Sequence, residues 1–296
     1  MPMILLMPGL NLLIRFAARS RRTLCAWGVS SLLVSTLSVL LSSFLVSTFT
    51  GISGAEILIA AAADLAPSEA ALTRLAPAGA KFTFGSSGQI ANQIRAGAPY
   101  DVYLSADIRL VRGLAAERKV DPATVTLYAL GRVGLWSRSG KVRRLEDLRS
   151  PAVLQIAIAN PDHAPYGVAA RDILSRSGLW EAVKPRVVYG ESVRQAMQFA
   201  ASGNAEAALV AWSLVHDRGG VLIPSALHAP IEQAGAVVAW SKRAEEGRRF
   251  LNALAGEAGQ SYLSGAGFDP VAAPVAQAGR DTEQTPARPR RKKKGK

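Results

Sequence analysis

Three short segments of this chain place small or uncharged groups where a helix should begin: Gly85-Ser86-Ser87-Gly88, Pro165-Tyr166-Gly167 and Glu191-Ser192-Val193. Each follows an apolar run that reads as a strand, over 81–84, 154–159 and 186–189. The first four N–H groups of a helix lack internal partners, and the aligned peptide dipoles add partial positive charge at that end. A strand-loop-helix unit is therefore a ready anion site. None of the three segments carries Lys or Arg at its tip. The chemistry they predict is capture of an anion by neutral hydrogen-bond donors.

Elements able to hold such loops alternate along the chain from Glu56 onward, the mark of an α/β architecture. Strands are predicted over 57–60, 81–84, 101–105, 154–159, 187–189, 207–212 and 235–240. Helices are predicted over 67–75, opened by Pro67, and over 87–96, 107–118, 144–148, 167–175, 192–201 and 243–263. Residues 125–137 read as one long strand crossing between two halves near Gly131, with 235–240 as the return. The resulting division is 56–130 plus 235–269 as one lobe and 131–234 as the other, framed by 1–55 and 270–296.

A net charge of +13 on 296 residues suggests a nucleic-acid partner until the charge is located. Residues 1–54 carry Arg15, Arg19, Arg21 and Arg22 with no acid, giving +4, and residues 275–296 give +6. The middle keeps only +3, so the folded domain lacks the basic face that nucleic-acid binding needs. Residues 23–55 hold no charge and follow three arginines. That pattern is an export signal, or, since the run can span a bilayer, an uncleaved anchor. The only cysteine, Cys25, lies inside it, so an exported chain has no disulfide, thiolate metal site or cysteine nucleophile. A bacterial periplasm is the implied destination. Residues 270–296 shift to Ala, Pro, Gln and Thr and then to Arg and Lys, a composition that predicts a disordered basic tail.

Enzymatic and metal chemistry find little footing. There is no Gly-x-Ser-x-Gly elbow, Walker loop or His-Glu-x-x-His pair. His163, His216 and His228 lack metal-ligand spacing, and Asp64 is the only candidate for an acid or base acting on a bound anion. No enzyme activity, cofactor or directly bound metal is expected. Ser86 is read as a helix cap and Arg194 as an outward-facing charge. Trp136, Trp180, Trp212 and Trp240 are read as lobe core, with Trp212 lining the cleft.

Six motifs then stand in a telling order: Ile-Ala-Ala-Ala-Ala-Asp-Leu at 59–65, Phe-Gly-Ser-Ser-Gly at 84–88, Ala-Gly-Ala-Pro-Tyr-Asp-Val at 96–102, Leu-Ser-Ala-Asp at 104–107, Pro-Asp-His-Ala-Pro-Tyr-Gly at 161–167 and Glu-Ser-Val-Arg at 191–194. Their order and spacing resemble the periplasmic molybdate-binding proteins of ABC importers, over roughly 56–268. The resemblance implies a two-lobed, type II periplasmic-binding fold with a molybdate or tungstate oxyanion in the cleft. It also implies a monomer working with a membrane permease and an ATPase.

Carried over position by position, the resemblance makes Ser87 a donor through hydroxyl and N–H, and Val193 a donor through N–H. Tyr166 keeps an N–H where the family often has alanine. Two positions depart. Where the family offers serine in the first loop this chain has Ala63 and Asp64, and the family's tyrosine on the last cleft strand aligns near Ala211, a role the Tyr166 phenol is placed to take over. The Asp64 carboxylate is expected to turn away and cap the helix beyond Pro67, leaving the Ala63 or Asp64 N–H to face the anion. A different small anion (sulfate, phosphate or an organic acid) is the alternative solute.

Overall fold

The computed structural model of the protein describes residues 56–271. The segment read as leader or anchor, 1–55, and all but the first two residues of the tail, 270–296, lie outside the described residues.

Two five-stranded sheets share one plan. In the first, β1 (Ile57–Ala62) lies between β2 (Ala80–Gly85) and β3 (Val102–Ser105), both parallel to it. Beyond β3 come β10 (Ile231–Val237), antiparallel, and β4 (Thr126–Gly131) at the edge. In the second, β6 (Ile156–Ala159) lies between the parallel strands β7 (Val187–Gly190) and β8 (Ala207–Ala211). Beyond β8 come β5 (Val133–Trp136), antiparallel, and the short β9 (Val221–Leu222). Each sheet thus takes one antiparallel strand from the chain as it arrives from the other half. The inner parallel strands are near-continuous apolar runs because helices cover both faces. Edge strand β2 instead alternates half-buried and exposed residues.

The helices follow their apolar spacing. In α2 (Ser87–Arg95), Ile90, Ala91 and Ile94 make one stripe, which packs with Ile108, Val111 and Leu114 of α3 (Ile108–Ala116) around Tyr103. In α4 (Pro165–Arg176), Tyr166, Ala169, Ala170, Ile173 and Leu174 face the second sheet. Proline at its first position costs nothing, since that N–H has no helical acceptor. In α6 (Val193–Ser202), Val193, Ala196, Met197 and Ala200 are buried, and Gly203 at φ +87° ends the helix in the left-handed region. The remaining helices are α1 (Glu69–Leu75), α5 (Trp180–Val183), α7 (Ala244–Ala255) and α8 (Glu257–Gly265). Among the described residues no helix is long and apolar enough to cross a membrane.

Four predicted elements differ. The long strand over 125–137 is two strands in two sheets, parted at Arg132, whose guanidinium pairs with Asp269 at 2.9 Å. The return strand starts at Ile231, not at 235, so it enters the first sheet before the polar pair Glu232-Gln233. The helix over 243–263 is broken at Gly256, whose extended backbone (φ −75°, ψ 175°) separates α7 from α8. Residues Ala63–Ser68, which include Pro67, form a 3-10 turn ahead of α1.

Candidate functional site

The carboxyl ends of the parallel strands converge from both halves, the place where open α/β sheets hold ligands. A small space lies there. The loop after β1 lines it with Ala63 and Asp64, the loop after β2 with Ser86 and Ser87, and the turn after β3 with Ala106. From the second half come Ala164, Pro165 and Tyr166 at the start of α4, and Val193 at the start of α6. None of the lining residues is Lys or Arg. A larger hollow of about 300 Å³ is lined by Asp107, Asp172 and Glu232 against Arg109, a charge balance that repels anions.

Five of the six candidate residues therefore share one small space: Ala63, Asp64, Ser87, Tyr166 and Val193. Ser87 opens α2, Val193 opens α6 and Tyr166 is the second residue of α4, so all three amides belong to first turns. The Ser87 hydroxyl is pre-aimed. Its oxygen accepts the Ala106 N–H at 3.0 Å, which leaves its own hydrogen to donate elsewhere. The Tyr103 hydroxyl holds the Ser87 carbonyl at 2.7 Å from below. In the loop before α6, Ser192 Oγ accepts the Gln195 N–H at 3.3 Å, a side-chain cap that fixes where the helix starts.

Asp64 stands apart. It is 1% exposed, and it does not cap the helix beyond Pro67. Its Oδ2 accepts the Tyr166 hydroxyl at 2.9 Å and the Gln233 side-chain amide, while the Gln233 carbonyl accepts the Tyr128 hydroxyl at 3.0 Å. Its Oδ1 is buried with no hydrogen-bond partner. Burial pushes its carboxyl up to about 6; the bonds from Gln233 and Tyr166, and the backbone N–H groups of Asp64 and Leu65 nearby but outside hydrogen-bond geometry, pull it only part of the way back. The same burial, beside that carboxylate, holds the Tyr166 hydroxyl well above the ordinary phenol range. The Tyr166 phenol thus serves Asp64, while its amide belongs to the first turn of α4 beside the space.

The network depends on two backbone devices that the sequence does not announce. A bulge in β4 leaves Tyr128 as the extra residue opposite Gln233 and Ala234, so Tyr128 and Ala129 are both buried, while Gln233 lies inward with Ile231 by strand alternation and is wholly buried. Gly131 leaves room for it, because a Cβ there would collide with the Tyr166 hydroxyl and meet Gln233 Nε2 at 3.0 Å.

The two halves touch around the space. The His163 carbonyl, from the second half, accepts the Gly88 N–H at 2.9 Å and the Ser86 hydroxyl at 2.5 Å. Ser86 is thus spent across the cleft and makes no side-chain cap. Gln89 donates to Glu191 at 2.6 Å, and Ser213 donates to the Asp64 carbonyl at 2.8 Å. These contacts describe a closed cleft.

Three further expectations fail on geometry. Ala211 lies outside the space: it pairs with Val133 inside the second sheet and its methyl belongs to that sheet's core. Trp212 packs on Gly134, Gly267 and His216 and does not reach the lining. Trp240 is 39% exposed, over Lys119, and not core. Arg194 is exposed, one turn-position past Val193 and away from the lining. Sequence reasoning missed the roles of Gln233, Tyr128, Ala106 and His163, of which Ala106 and His163 sat inside quoted motifs.

Comparison with known proteins agrees with this arrangement. The molybdate-binding protein ModA of Rhodobacter capsulatus is 35% identical over 181 residues, 58% of this chain and 70% of that protein. The molybdate-binding protein ModA of Azotobacter vinelandii is 34% identical over 196 residues, 63% of this chain and 77% of that protein. The solved periplasmic molybdate-binding protein of Azotobacter vinelandii superposes with a TM-score of 0.67 at 26% identity, covering 72% of this chain and 98% of that one. Residues 57–269 match the family model of the bacterial extracellular solute-binding proteins, and the chain belongs to that family.

Proposed function

We propose that this chain captures molybdate, and tungstate with it, in the space between its two sheets and delivers it to the permease and ATPase of an ABC importer. The observation that carries the reading is the lining itself: Ser87 with its spare hydroxyl hydrogen and first-turn residues from both halves surround one small space, with no cation among them. Fixed dipoles of this kind replace the hydration shell of a small dianion and form charge-assisted hydrogen bonds to it. The relatives named for molybdate binding supply the solute. Grip from both halves supplies the better contacts that favour the closed form.

Export with 1–55 as a leader, the periplasm as destination and a monomeric state complete the reading. Neither catalysis nor a resident cofactor is part of it. Calorimetry on the purified chain with molybdate, tungstate, sulfate and phosphate is the test. Tight binding of the first two and poor binding of sulfate is the expected result; binding of phosphate alone overturns the assignment.

A further inference from the structure

We propose that Asp64 makes anion capture proton-linked: one proton, drawn from solvent, comes to lie between Asp64 Oδ1 and an oxygen of the captured anion. The proposal rests on the anion-capture reading above and adds a specificity-determining role to one of its residues.

The geometry singles out one oxygen. Two donors, the Tyr166 hydroxyl and the Gln233 amide, already converge on Oδ2. Oδ1 has no partner, is buried, and belongs to a residue that lines the space. A bare carboxylate there confronts an incoming dianion with no cation among the lining residues to offset it. A proton on Oδ1 turns that repulsion into a hydrogen bond, and the cleft then holds two negative charges instead of three. Tyr166 from α4 and Tyr128 from β4 are the titratable groups facing Asp64, and burial holds both phenols protonated through the neutral range. Gln233 from β10 and Ser213 after β8 face it without charge. Neither tyrosine has a proton site to fill, so the added proton belongs to the carboxyl. Its affinity for a proton is already raised by burial, to about 6, and a dianion alongside raises it further. His163, which contacts Ser86 and Glu191 at the rim, is the rival proton acceptor.

Molybdate titrations of the full purified chain in buffers of different ionisation enthalpy count the protons. Near pH 7.5 the expected uptake approaches one proton per anion, and affinity falls by up to tenfold per pH unit between pH 6.5 and 8.5. Asp64→Asn, a permanent neutral donor, should take up none, lose the pH dependence and bind at least tenfold more tightly than the parent at pH 8.5. In the parent, a protonated-carboxyl band should appear in the infrared difference spectrum when anion is added, a readout that needs no variant. Tight binding with no proton uptake overturns the proposal and leaves anion capture standing. Uptake that persists in Asp64→Asn assigns the proton to His163 and also overturns it. Failure of both proteins to bind any of the four anions removes the solute reading and this proposal together.

Discussion

The two halves of the molecule reach the same space by the same device and furnish it differently. In each, a central parallel strand, β1 or β6, ends in a loop at the cleft, and a flanking strand, β2 or β7, runs into a helix whose first turn faces it. After β6 and β7 the second half offers only amides, from Tyr166 and Val193. The first half offers the Ser87 hydroxyl and amide, but beside them the Asp64 carboxylate. Backbone geometry, set by strand ends and helix starts, makes the cradle. Side chains then decide its charge, and only one half has added any.

The contact between the halves is the first place to break this symmetry. A Cβ on Gly88 would meet the His163 carbonyl oxygen at 2.6 Å, a clash that exists only while the halves are closed. Gly88→Ala should lower anion affinity at least a hundredfold, about 3 kcal/mol, in a calorimetric titration. Within one half the change is harmless or better, since alanine favours a helix over glycine by about 1 kcal/mol. The anion-free chain should therefore melt no earlier than the parent. Equal affinity in the two proteins would mean that closure across Gly88 and His163 is not part of binding.

Asp64 separates the halves by pH. Its carboxyl is raised from 3.8 to about 6 by burial, so the folded chain holds this proton more tightly than the unfolded one. The sign follows: stability from this group is complete below pH 4 and is lost as pH rises through 6. At 1.36 kcal/mol per pKa unit the loss at pH 7 is about 3 kcal/mol. Asp64→Asn should recover most of it in urea unfolding of the anion-free chain at pH 7 and little at pH 4. A difference that is the same at both pH values would locate the effect in packing and not in ionisation.

Much of the scaffold was legible in the sequence because buried parallel strands are apolar runs and the loops between them begin with recognisable caps. The three segments that hold Ser87, Tyr166 and Val193 were found for the same reason, since first turns follow from where a helix starts; the choice of those residues within them came from the family resemblance. What stayed hidden is the polar interior. Gln233 reads as a solvent residue beside Glu232, and the β4 bulge that sets Tyr128 against it is marked by no local pattern. That one residue displaced the expected start of β10 from 231 to 235 and concealed the partner of Asp64. The carboxylate was expected to turn away and cap because, ionised, it repels a dianion; the partner that holds it inward was not visible. Ala211 was misplaced by the opposite error, since its position came from alignment with a family position and not from a side chain able to donate.

The comparison sharpens further at Ser87, the side-chain donor of the first half. Its hydroxyl is fixed by the Ala106 N–H at 3.0 Å and has a hydrogen to spare. Ser87→Ala removes one charge-assisted bond and leaves the amide in place, so affinity should fall by about 1–3 kcal/mol, measured by the same titration. It also leaves the buried Ala106 N–H without its acceptor, so the melting temperature should drop slightly as well. No change in affinity would take Ser87 out of the site. Val193 offers no comparable handle, because substitution leaves its amide intact, and that asymmetry is itself a consequence of how the two halves are furnished.

The smallest effect belongs to the nearest arginine. Arg194 follows Val193 directly and would be the natural cationic clamp if the second half needed one. It is exposed and does not line the space, so water and salt weaken its reach toward a buried anion. Arg194→Ala should leave molybdate affinity within about twofold of the parent at physiological salt. A tenfold loss would show that the second half does hold its anion with a positive charge, and that amides and a hydroxyl do not suffice. The contrast between the halves would then be one of opposite charges, Asp64 against Arg194.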